Sequence, residues 1–198
     1  NLYCGMLAVL TMFLYLFVKE HPWKKFRKYV LLVLLVISFN HGTLNYIWHG
    51  MHDQYGIPNR FSFVFIFVLL VMAYDAVQSI TEIDIYFVIS STLLAGAFAF
   101  ACKQQAGATI GKYTLPASLV LLVIYGVTCC LRTSKKITHA TYISVIGSVC
   151  LVELVANAAY GFSENGYCHY KQYYKTSPAV TEANVRVREM AEEEQAGF

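Results

Sequence analysis

Apolar residues fall into six runs separated by short polar stretches, at approximately 2–18, 29–47, 61–77, 85–102, 113–131 and 138–160. Each run approaches the roughly 20 residues that carry a helix across the hydrocarbon core of a bilayer. The separators contain helix-ending chemistry. Pro22 stops the first run, and Gly56 with Pro58 marks a turn before the third. Pro116 falls in the first turn of the fifth run, where proline is tolerated. Gly96 and several alanines in the fourth run permit close helix packing. The pattern predicts an all-α fold: a polytopic helical membrane protein with about six transmembrane helices over residues 1–162. A tail over 163–198 then leads into an extracytoplasmic domain.

Composition agrees with a membrane location. The chain is 57% hydrophobic, 15% aromatic and 14% charged, whereas soluble domains carry about a quarter charged residues. The net charge of +3 says little, but its distribution is informative. Basic residues crowd 19–28 and 132–137, while the loops on the opposite side hold only Arg60, Lys103 and Lys112. The positive-inside bias puts the crowded loops in the cytoplasm. It puts Asn1, the stretch around 48–60, the 103–112 loop and everything after residue 160 outside. The basic clusters flank apolar spans, as juxtamembrane charge does, and nothing points to nucleic acid.

Asn1 leads straight into an apolar run, and Gln195-Ala-Gly-Phe198 stops without a structural ending, so the chain reads as an interior piece of a longer protein. The tail, from Tyr167-Cys-His-Tyr-Lys-Gln-Tyr-Tyr174 through Ser177-Pro178, is polar and aromatic, and Thr181 could cap a short helix after it. Six cysteines include no CxxC pair and lie mostly in apolar runs, where cysteine behaves as a small hydrophobe. Cys168 could pair with Cys4 or Cys102, although spacing alone does not set disulfide geometry.

The candidate chemistry is concentrated between the second and third runs. Residues 40–63 bring together Asn40, His41, Asn45, His49, His52, Asp53, Asn59 and Arg60. Polar groups at membrane depth must face protein or a water-filled cavity. His49 and His52, three apart, would share a face if helical, and with Asp53 they form a thin set for a divalent metal. No cofactor is firmly implied. Arg60 stands where the chain re-enters the membrane, at the depth of lipid phosphates. Its planar fork of donors suits a phosphate, and snorkelling to headgroups is the plainer reading. Tyr46, Trp48 and Tyr55 suit an interfacial aromatic belt or a stacking platform for a sugar ring. Glu153 and Asn157 are four apart in the sixth run. An intramembrane carboxylate either lines a functional path or pairs with another helix.

Several of these residues carry a resemblance. Asn1-Leu-Tyr-Cys-Gly5, Ser38-Phe-Asn40, Leu44-Asn-Tyr-Ile-Trp-His-Gly-Met-His52, Pro58-Asn-Arg-Phe-Ser-Phe63 and Ala73-Tyr74 together resemble the bacterial YfhO family of polytopic membrane proteins. The similarity is densest over residues 1–77 and is confined to hydropathy over 85–160. Gln54, Tyr55 and Asn59 depart from the family pattern, which bears on loop conformation and sugar preference.

The resemblance implies a glycosyltransferase of the GT-C type, taking a sugar from a polyprenyl-phosphate carrier on the outer face of the bacterial membrane. The acceptor it implies is an envelope glycopolymer such as teichoic acid. It implies substrate binding by Arg60, His49, His52, Trp48, Asn45 and Asn59, with the catalytic carboxylate supplied from outside this stretch. A transporter or flippase of lipid-linked saccharide, with Glu153 and Asn157 along its path, is one alternative. A non-catalytic envelope scaffold is another.

Overall fold

A computed structural model describes residues 4–52, 61–106, 111, 113–165, 182, 185–190 and 192. Asp53, Asn59, Arg60 and Cys168 lie outside the described residues. Among the described residues the helices up to residue 165 are, in order, α1 Met6–Leu14, α2 Pro22–Asn40, α3 Gly42–Trp48, α4 Ser62–Gln78, α5 Ile85–Ala106, α6 Thr114–Thr133 and α7 His139–Asn165. Among the described residues there is no strand. The protein is an all-α helical membrane protein. The chain divides into two compact units, residues 1–155 and 156–198, and the site belongs to the first.

Helix α1 is the core of that unit and packs against α4, α5 and α6. Leu10, Thr11, Leu14 and Tyr15 are fully buried. Thr11 suits this position because its hydroxyl donates to Leu7 O at 2.8 Å within its own helix, so no polar atom is left bare in the core. Phe17 stacks on Phe87 of α5 with centroids 4.2 Å apart, and Phe13 meets Phe98 edge-on at 6.1 Å. Helices α5 and α6 approach closely at Gly126, where a Cβ would lie 2.8 Å from the Thr92 side chain. Gly96, by contrast, has room for a methyl against Leu122.

Among the described residues three helices, Ile85–Gln105, Thr114–Thr133 and His139–Ser163, are long and apolar enough to cross a membrane, or four if the bent pair Pro22–Asn40 and Gly42–Trp48 is one span. Only 17–28% of the three single-helix windows is buried within the protein. Most of their apolar side chains therefore face outward, as lipid-facing residues do. Met6–Phe17 and Ser62–Gln78 are shorter apolar helices.

The second apolar run, expected at 29–47, is not one straight helix. Pro22 takes the first helical position, with His21 as N-cap accepting from Trp23 N. The basic cluster from Lys24 to Lys28 is thus the first turns of α2 rather than a loop. The helix then breaks at His41, whose φ of −116° and ψ of 113° are extended, and α3 leaves at 108°. Ser38 and Asn40 donate to Leu34 O and Val36 O at 2.7 and 2.8 Å, which competes with helix continuation. Gly42 adds a weak helix former just past the break.

Candidate functional site

The bend gives the polar island its shape. α3 lasts seven residues and ends in two consecutive left-handed residues, Gly50 at φ 71° and Met51 at φ 62°. Gly50 N and Met51 N return to Ile47 O and Tyr46 O at 3.2 and 3.0 Å. This reversal, helped by glycine's freedom at positive φ, ends the helix before His52. His49 and His52 therefore do not share a helix face. Among the described residues no group of three or more His, Cys, Asp or Glu could hold a metal ion.

Trp48 and His49 come together against Phe61, which is 6% exposed at the start of α4, and Asn45 lies one turn before His49. Phe61 is the centre of an aromatic stack. Trp48 lies over it at 5.3 Å and 22°, Phe39 of α2 at 4.9 Å and 14°, and His49 leans on it at 5.9 Å. Phe65 closes the cluster edge-on to Phe39 at 5.6 Å. The indole N–H of Trp48 donates to the buried Ser38 hydroxyl at 3.1 Å. Trp48 keeps 43% exposure and Tyr46 42%, so both combine a packed face with an open one.

Two atoms of this wall are unusual. His49 Nδ1 lies 2.6 Å from Asn45 O. A backbone carbonyl only accepts, so Nδ1 carries the proton and Nε2 presents a lone pair in the neutral ring. Nε2 is buried and has no hydrogen-bond partner, and Asn45 Oδ1 is in the same condition. A buried polar atom left unpaired costs about 1–3 kcal/mol.

Asn45, Trp48 and His49 of the expected set lie on or at the end of α3, with Trp48 and His49 against Phe61; Phe61, Phe39 and Ser38 were not among the expected site residues. Their signal was present in Ser38-Phe-Asn40 and Phe61-Ser-Phe63, where aromatics sit on both sides of the island. His52 is exposed on the bend after α3.

Two other polar clusters lie away from the island. Lys28 Nζ reaches Asp75 Oδ2 of α4 at 2.7 Å, Tyr15 OH at 2.6 Å and Glu20 Oε2 at 3.3 Å, and sits 4.6 Å from the Tyr15 ring centroid. Tyr15 OH also donates to Glu20. Asp75 is thus tied to the basic turn of α2.

Glu153 is 5% exposed on α7. Its Oε1 accepts from Met6 N, the first amide of α1, at 2.7 Å, and its Oε2 accepts from Tyr125 OH of α6 at 2.8 Å. A carboxylate at a helix N-terminus satisfies an orphan donor and complements the dipole. Of the two roles open to Glu153, pairing between helices is the one found. Asn157, one turn on, is exposed.

The family described as bacterial membrane protein YfhO matches residues 1–198. No curated protein and no solved structure matches the chain.

Proposed function

This chain belongs to the YfhO family of bacterial membrane proteins, and on that premise we propose that it forms part of a GT-C type glycosyltransferase. The reaction is transfer of a sugar from a polyprenyl-phosphate carrier to an envelope polymer such as teichoic acid, on the outer face of the membrane. The carrying observation is the wall built from Trp48, Phe61, Asn45 and His49. It offers a half-exposed indole stacked on Phe61, the apolar face on which a pyranose stacks.

In this reading Arg60, directly before Phe61 in the chain, holds the carrier phosphate. A fixed cation there stabilises the departing phosphate as charge develops on it. His52 and Asn59 complete the donor site. The proposal assigns the island to donor binding and leaves base catalysis to another part of the protein. A transport path along α7 fits less well, because Glu153 is already engaged by Met6 N and Tyr125 OH.

The test is Arg60→Ala in the full-length protein, with membrane insertion checked by protease protection and envelope sugar content measured by mass spectrometry. Loss of decoration with normal insertion is expected. Undiminished decoration would sink the assignment of Arg60 and of the island as a donor site.

A further inference from the structure

Helices α5 and α6 run antiparallel, since Gly126 meets Thr92 while Gly96 meets Leu122. The start of α5 is therefore level with the last turn of α6. Between the two helices lies an open groove of about 310 Å³. Its walls are Ile85, Ile89 and Leu93 on α5 and Val123, Val127 and Leu131 on α6. Each set follows the spacing of one helix face. Gly126 also lines the groove, and its missing side chain keeps the floor low. Leu93 is 70% exposed, Val123 58% and Val127 53%, so the groove opens sideways onto the lipid-facing surface. Ile85 to Leu93 spans about 12 Å along the helix, most of the roughly 15 Å depth of one leaflet's hydrocarbon.

One end of the groove carries a cation placed by the backbone. Lys135 N donates to Arg132 O and Lys136 N to Leu131 O, both at 2.9 Å, and Lys135 is left-handed at φ 56°. This is a Schellman turn, with lysine where glycine is usual. It folds Lys136 back over the end of α6, and Lys136 lines the groove together with Leu131 and Ser134. An exposed lysine so placed lays its apolar stem along the wall and holds its ammonium at the mouth. Among the described residues no carboxylate pairs with Lys136. Arg132 is committed to Ile137 O at 3.1 Å. Glu82 and Asp84 precede the N-terminus of α5, whose dipole they complement, and neither lines the groove.

We propose that this groove seats an acyl chain of an anionic phospholipid, whose headgroup phosphate is held by Lys136 and the Ser134 hydroxyl. The lining is apolar along its length and cationic only at the mouth, which is the polarity of such a lipid from tail to head. A phosphate oxygen accepts from the ammonium and the hydroxyl in charge-assisted bonds. A zwitterionic lipid brings its own cation beside the phosphate and gains less from Lys136. The positive-inside bias turns this end toward the cytoplasm, so the lipid belongs to the inner leaflet. The site is separate from the polar island between α2 and α4, and it does not depend on the transferase reading.

The experiment is native mass spectrometry of the full-length protein, titrated in detergent with phosphatidylglycerol or with phosphatidylcholine of the same acyl chains. Phosphatidylglycerol is expected to be retained at the lower concentration. Lys136→Gln should weaken its retention about fivefold, the effect of one lysine near an anionic surface. Lys135→Gln, adjacent but not lining the groove, should change it much less. Val127→Trp, which fills the groove from its lipid-facing side, should release the bound lipid. Val123→Phe fills it from a different position and serves if Val127→Trp does not fold.

Equal retention of the two lipids overturns the proposal. So do equal effects of Lys135→Gln and Lys136→Gln, the signature of diffuse attraction to a basic surface. Retention that survives a folded filling variant removes the groove from the site. Dimers that the filling variants dissolve would make a second copy of the chain the occupant, and the lipid assignment would fall.

Discussion

The Trp48 indole donates to the Ser38 hydroxyl at 3.1 Å, and Ser38 in turn donates to Leu34 O at 2.7 Å. This pair ties the two arms of the bent second run, because Ser38 belongs to α2 and Trp48 ends α3. Ser38 is fully buried, so no water can replace its hydroxyl for the indole. Ser38→Ala should destabilise the bend by about 1–3 kcal/mol. Hydrogen exchange at the amides of α3 should speed up in the variant while α5 and α6 are unchanged. Unaltered exchange in α3 would show that the aromatic stack alone holds the bend.

Lys28 answers two carboxylates and a phenol at once. Removing the cation leaves Glu20 and Asp75 near each other in a setting where their side chains are only 20% and 32% exposed. Removing Asp75 alone leaves Lys28 with Glu20. Lys28→Met is therefore expected to lower stability more than Asp75→Asn, with the milder change near the 1 kcal/mol of a partly exposed pair. Thermal unfolding in detergent micelles measures both. The reverse order would mean that Lys28 is held by its stem rather than its charge.

Gly126 faces Thr92 with no space for a methyl group. Gly126→Ala should cost about 1–3 kcal/mol through overpacking. Trimming the opposing residue should recover most of it, because the crowding atoms are Thr92 Cγ2 and Oγ1. Thr92→Ala combined with Gly126→Ala is thus predicted to unfold at nearly the wild-type temperature. Failure of this rescue would place the strain in the backbone of α6.

Glu153 serves as an acceptor for Met6 N and Tyr125 OH, and an amide oxygen can do part of the same work. Glu153→Gln should retain expression, fold and envelope decoration. Glu153→Leu, which leaves the first amide of α1 and the Tyr125 hydroxyl without this acceptor, should lose about 1–3 kcal/mol of stability. Inactivity of a well-folded Glu153→Gln protein would instead argue for a carboxylate that must ionise or carry a proton, as on a transport path.

The sequence by itself determined that this is a helical membrane protein, because an apolar run near span length has few alternatives once backbone polar groups must be satisfied in lipid. It also located the island, since a dense group of polar residues between two such runs is conspicuous in composition alone. Run length did not reveal that the second run bends by 108° at His41. That bend comes from local competition for helix carbonyls and from what α3 can pack against. Pairings between distant residues were likewise a matter of tertiary structure. Met6 and Glu153 are 147 positions apart, and Lys28 and Asp75 are 47 apart. Apolar periodicity cannot say which helix a polar side chain turns toward. Phe61 shows the same limit at the site: in sequence it is one more phenylalanine in an aromatic run, and only the folded bend places it under Trp48 and His49.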